Sequence, residues 1–178
     1  HSDTEVILKA YAQWGEDCVA RLQGMFAFAI WDMRQQRLFI ARDRLGIKPF
    51  YFTYSATHFR FASNTQALLA AGDVDTSLDH VALHHLFTLH AVVPAPRTIL
   101  RGIRKLAPGH TLSINSLGQI KEKSYWQLAA RRPDHAMDEV DWQQAIHDAL
   151  RKSVARRLKI ADVPVGVLAS QRRCVLAR

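Results

Sequence analysis

Residues Met25 to Trp31 read Met-Phe-Ala-Phe-Ala-Ile-Trp, with large Phe26, Phe28 and Ile30 alternating with Met25, Ala27 and Ala29. A period of two sends successive side chains to opposite faces, and both faces here are apolar. The segment is therefore a strand held between two layers. After a polar turn at Asp32 to Gln36, Leu38 to Ala41 makes a second strand. Asp43-Arg44-Leu45-Gly46-Ile47-Lys48-Pro49 is a loop, in which Gly46 can take a positive φ and Pro49 ends the turn. Phe50 to Tyr54 and His58 to Ala62 form a hairpin. Upstream the period is helical. Ser2-x-x-Glu5 is a capping-box pattern, and Val6, Ile7, Ala10, Tyr11 and Trp14 make one stripe that stops at Gly15. A short second helix fits Asp17 to Leu22. A helix followed by four strands predicts an α+β fold of layers packed face to face.

Further along, Gln66 to Ala71 and Leu78 to Leu89 read as helices, and Pro94-Ala95-Pro96 opens a rigid connection. His110 to Asn115 and Gln119 to Tyr125 flank Gly118 as a hairpin. Residues 129–137 are polar, contain Arg131-Arg132-Pro133, and read as a linker between residues 1–128 and 138–178. Asp138 caps a helix in which Trp142, Ile146, Ala149, Leu150 and Val154 share a face, with cations in its last turns. Val163 to Ala169 is a continuous apolar run, as in a buried parallel strand.

The net charge of +8 is spread out. Arg172, Arg173 and Arg178 account for three charges, and most of the remainder lies in short pairs such as Arg131-Arg132 and Arg156-Arg157. That describes solvated basic faces, so nucleic acid is not an expected partner. No apolar run approaches the length of a membrane span, and the opening His1-Ser2-Asp3 is no signal peptide. Cys18 and Cys174 are isolated, as reduced thiols of a cytoplasmic protein would be. His84, His85 and His90 lack a Cys or acidic partner at ligand spacing, so no metal site is expected there.

Four stretches together carry a resemblance. They are Ser2-Asp3-Thr4-Glu5-Val6-Ile7, Leu22 through Asp32, Ala41 through Pro49, and Asp162-Val163-Pro164-Val165-Gly166-Val167-Leu168-Ala169-Ser170. In this order and spacing they resemble the asparagine synthetase family, which couples a class II glutamine amidotransferase to an ATP-dependent synthetase. A finer likeness, in Val74 to Ser77, Val81 to His85 and His90 to Gly102, is to the subgroup that amidates N-acetylglutaminylglutamine. The resemblance implies a partial four-layer αββα amino-terminal-nucleophile glutaminase domain over residues 1–128. The beginning of an α/β adenine-nucleotide (PP-loop) domain would follow over 138–178. It implies a carbon–nitrogen ligase that hydrolyses L-glutamine to ammonia and amidates a carboxylate acceptor, aspartate or N-acetylglutaminylglutamine, with ATP and Mg²⁺ as cofactors. Adenylation suits that chemistry, because a carboxylate is a poor electrophile until it carries a better leaving group.

The resemblance makes Asp3 the residue that binds the glutamine ammonium, through charge-assisted hydrogen bonds. On its own, an acid in a first helical turn is also what the helix dipole favours. The family's nucleophilic N-terminal Cys is expected upstream of residue 1, so the chain alone is expected to be inactive. Cys18 sits on the apolar side of a short helix and reads as a buried thiol. Arg42-Asp43-Arg44 reads as a structural turn, with Asp43 bonding loop amides. Leu168 and Ser170 match nucleotide-binding positions, but the pattern is lost at Gln171-Arg172-Arg173 where relatives continue Gly-Gly-x-Asp-Ser. A frameshift or truncation near codon 171 is the expectation. A glutaminase-fold interaction module without catalysis, and a basic nucleic-acid-binding domain, are the alternatives.

Overall fold

The first helix obeys its caps. In the computed structural model, which describes residues 2–131 and 136–159, helix α1 runs Asp3–Trp14. The Ser2 hydroxyl accepts from the Glu5 N–H at 3.3 Å, and Gly15 closes the helix at φ 58°. One 3₁₀ turn, Gly15–Asp17, leads into the short helix α2, Cys18–Arg21. Strands β1 (Ala27–Asp32) and β2 (Arg37–Arg42) follow as an antiparallel pair, with Ala29 opposite Ile40 and Ile30 opposite Phe39. The alternating run begins at Met25, yet the strand begins at Ala27. The Phe26 carbonyl instead accepts from the Asp43 N–H at 2.8 Å, at the end of the ladder.

Strands β3 (Tyr51–Tyr54) and β4 (Phe59–Ala62) form the expected hairpin, and α3 (Thr65–Ala70) touches both. Helix α4 is His80–Thr88, β5 is Arg104–Lys105, β6 is His110–Ile114 and β7 is Ile120–Ser124. One sheet has the order β1-β2-β6-β7 and the other β4-β3-β5. Every pairing is antiparallel.

The two faces of β2 separate two cores. Ile40, with Leu112 and Ile114 of β6, joins Phe50, Phe52 and Leu106, and Ala27, Ala29, Leu38 and Phe59 pack against them. Phe39 and Ala41 instead join Ala10, Cys18 and Val19, with Tyr11, Phe26, Phe28 and Tyr125 alongside. The alanines of β1 thus face the second sheet, while Phe28 of β1 and Phe26 just before it face α1 and α2. Large and small residues divide between the two faces as the alternation requires. Phe39, Ile40 and Cys18 are fully buried. Helix, sheet, sheet is the layering established by these cores, and a fourth, helical layer is not defined by them.

The chain divides into two units, His1–Leu128 and Ala129–Arg178. In the second, helix α5 spans Glu139–Leu158, and Asp138 caps it by accepting from the Asp141 N–H at 2.8 Å. Its apolar face carries Trp142, Ile146, Leu150 and Val154, all exposed. Among the described residues this unit is a single helix. A PP-loop domain is not formed by them, and the strand expected at 163–169, with Leu168, Ser170 and Cys174, lies outside the described residues.

Candidate functional site

The residues of chemical interest occupy two places in the first unit, the start of α1 and the loop after β2. At the start of α1, Asp3 and Glu5 lie in the first turn, where the helix dipole favours negative charge. Asp3 is exposed, and its carboxylate makes no hydrogen bond or ion pair among the described residues. The helix that carries it is held from below. The Tyr11 hydroxyl donates to Asp32 at 3.1 Å, and its ring stacks on Phe39 with centroids 5.4 Å apart. Arg37 pairs with Glu16 at 3.0 Å, and the Ser113 hydroxyl donates to Glu16 at 2.8 Å. Burial pushes the Tyr11 phenol up. The amide of Gln35, with Tyr11 and the amide of Arg34, holds the Asp32 carboxyl below its ordinary value. These bonds fasten α1 and the following 3₁₀ turn to β1, β2 and β6, so Asp3 starts from a fixed helix.

The loop after β2 is organised around two buried ionic side chains. Asp43 is 1% exposed, and its carboxylate accepts from the backbone N–H groups of Leu45 at 3.1 Å, Ile47 at 3.0 Å and Lys48 at 2.9 Å. The Arg42 guanidinium donates to the carbonyls of Lys48 at 2.8 Å, Gly46 at 2.7 Å and Leu106. Gly46 has φ 66°, and a Cβ there would stand 2.8 Å from Pro108 Cγ and 3.1 Å from Arg42 Cζ. The Asp43 carbonyl also accepts from Gly109, and the Tyr125 hydroxyl donates to the Arg42 carbonyl at 2.7 Å. Burial pulls the Arg42 pKa down and pushes that of Tyr125 up to about 12. With its acceptor positions committed to amides, Asp43 has a structural role, as its place in a tight loop suggested.

Cys18 is fully buried, and burial pushes its thiol up, opposite to what a nucleophile needs. A cleft of about 210 Å³ is lined by Glu16, Asp17, Val19 and Ala20 on one side and by Thr111, Lys123, Ser124 and Tyr125 on the other. A second, of about 550 Å³, lies beside the start of α4 and is lined by Asp79, Arg97, Arg101 and Arg104 among others. Asp3 lines neither. Among the described residues, no group of three or more His, Cys, Asp or Glu could hold a metal ion, and no helix is long and apolar enough to cross a membrane. The sequence reading missed the Tyr11–Asp32 bond and the arginine cleft, because neither has a local pattern to reveal it.

The sequence pattern of the glutamine amidotransferase domain matches residues 1–126. This chain belongs to the glutamine amidotransferase domain family. Its relatives include asparagine synthetase [glutamine-hydrolyzing] 3 of Bacillus subtilis strain 168, 37% identical over 164 residues, covering 92% of this chain and 26% of the relative. Asparagine synthetase [glutamine-hydrolyzing] 1 of the same organism is 34% identical over 165 residues, covering 93% and 25%. The amidase chyE of Penicillium rubens is 30% identical over 172 residues, covering 95% and 25%. The chain spans about a quarter of the length of these curated relatives.

Proposed function

We propose that the chain is the later part of the glutaminase domain of a glutamine-dependent amide ligase of the asparagine synthetase type, followed by the start of its synthetase domain. The observation that carries this reading is Asp3: a carboxylate presented on a pinned helix and making no hydrogen bond or ion pair among the described residues, in a domain that matches the amidotransferase family from residue 1. Its role is to accept charge-assisted hydrogen bonds from the α-ammonium of L-glutamine, orienting the side-chain amide toward a nucleophile. Cys18, the cysteine among the described residues, is buried with Ala10 of α1 and Phe39 and Ala41 of β2 and is not placed to act as the nucleophile. The nucleophile would be an N-terminal Cys of the longer protein.

The ammonia released would amidate an activated carboxylate, aspartate or N-acetylglutaminylglutamine, with ATP and Mg²⁺ supplying the adenylate chemistry. Among the described residues, no group of three or more His, Cys, Asp or Glu could hold the Mg²⁺. Leu168 and Ser170 are the nucleotide-facing positions of this proposal, and no step is assigned to them. The activity would be cytoplasmic.

The test is glutamine hydrolysis by the full-length protein carrying Asp3→Asn. The expected result is a fall in kcat/KM for glutamine of about 100-fold, the worth of one desolvated charge-assisted contact, with the thermal melt unchanged. Activity within about twofold of the unaltered protein would remove Asp3 from the site.

A further inference from the structure

The second cleft gathers positive charge from one short stretch of chain. Arg97, Arg101 and Arg104 line it, together with Asp79, His80, Val81 and Pro96. The turn that carries the arginines is firmly placed. Thr98, 8% exposed, donates its hydroxyl toward the carbonyls of Leu100 and Ile103, both at 2.9 Å. Gly102 lies so close to Asp75 that a Cβ would meet its N at 2.6 Å and its O at 2.7 Å. Arg101 N–H donates to the Ser77 carbonyl and Gly102 N–H to that of Asp75, both at 3.0 Å. Arg104 sits in β5, paired with Phe52, and its guanidinium lies 5.7 Å from the centroid of the Tyr54 ring while donating to Tyr54 Oη at 3.3 Å.

Charge accounting decides what the cleft can accept. Asp79 is the acid among its lining residues, and its carboxylate is already committed. It accepts from Val81 N–H at 2.9 Å and Ala82 N–H at 3.1 Å, and it pairs with Arg97. Arg97 and Asp79 therefore cancel. The Arg101 guanidinium makes no hydrogen bond among the described residues, although it helps, after the Ser77 bonds, to hold the Asp75 carboxyl down. Arg104 keeps its charge after bonding a neutral phenol. Arg104 has no acidic partner among the described residues, and Arg101 feels Asp75 through space without a hydrogen bond to it. Both guanidinium groups therefore present open planar donor forks to one space, and forks of that kind match phosphate or carboxylate oxygens. The space of about 550 Å³ exceeds a bare inorganic anion, and Val81 and Pro96 give it an apolar side.

We infer that this cleft is a binding site for a small dianion, a phosphorylated or dicarboxylic metabolite, held by Arg101 and Arg104. It is separate from Asp3 and independent of the glutamine reading.

The experiment is calorimetric titration of the 178-residue chain at fixed ionic strength with pyrophosphate and, separately, succinate, alongside amide chemical-shift mapping. The proposal expects saturable one-to-one binding of at least one probe, with shifts confined to 79–82 and 97–104. It expects about tenfold weaker binding in Arg101→Gln and in Arg104→Gln, and no change in Arg156→Gln on α5. Pyrophosphate alone binding would assign a phosphate ligand, and succinate alone a dicarboxylate. Absence of saturation with both probes would overturn the site. So would equal weakening by the α5 substitution, or shifts spread over all basic surfaces. The two substitutions change exposed side chains, and matched thermal melts would separate loss of binding from loss of fold.

Discussion

Asp3 and Asp43 are the same side chain in opposite circumstances. Asp43 is buried, and it accepts from three loop amides. Asp3 is exposed at the start of α1 and bonds nothing among the described residues. A carboxylate with its oxygens committed to the backbone is part of the scaffold. One left uncommitted on a rigid support is free to meet a ligand. The family resemblance runs through both motifs, and the hydrogen bonds tell the two carboxylates apart as the local spacing around Asp43 already does.

The comparison breaks first on stability. Asp43→Ala would leave three part-buried amides without acceptors and empty a buried site, so urea unfolding should show a loss of about 3 kcal/mol. A loss below about 1 kcal/mol would mean the loop does not depend on Asp43. Gly46→Ala comes next, at about 2 kcal/mol, since it combines a positive φ with crowding against Pro108 and Arg42. Asp3→Asn should change unfolding by less than about 0.5 kcal/mol while it impairs glutamine use; a large stability loss would make Asp3 scaffold as well.

The smallest effect is on the acid limb. The amide of Ala82, with Arg97 and the amide of Val81, holds the folded pKa of Asp79 below the ordinary carboxylate value. A lowered folded pKa gives stability that is complete above the unfolded value and lost as the pH falls through the folded one. Thermal melts should therefore drop below about pH 4, and the drop should be shallower in Asp79→Asn. Identical acid limbs would show that Asp79 is not one of the committed carboxylates.

Much of this was legible in the sequence where the cause is local. Ser2 and Gly15 mark both ends of α1 because a hydroxyl cap and a positive φ are single-residue requirements. The Asp43 loop was readable because its partners lie two to five positions away. What stayed hidden depends on long-range meetings. Arg104–Lys105 becomes β5 only because Phe52 and Tyr51 lie beside it, and nothing in Arg-Gly-Ile-Arg-Lys alternates. Tyr11 reads as one more apolar stripe residue until Asp32 arrives beneath it. The three arginines of the cleft look like scattered surface charge until the Thr98 turn brings them together.

One feature of the loop after β2 bears on how such a protein can change over generations. Arg42 and Asp43 grip backbone carbonyls and amides, and among the described residues their side chains hydrogen-bond no other side chain in doing so. The identities of Leu45, Ile47 and Lys48 do not enter that grip, and Leu45 and Ile47 point outward at 66% and 56% exposure. The loop's shape is thereby insulated from its decoration. Substitution at those outward positions can retune whatever surface they meet while the backbone beneath stays in place.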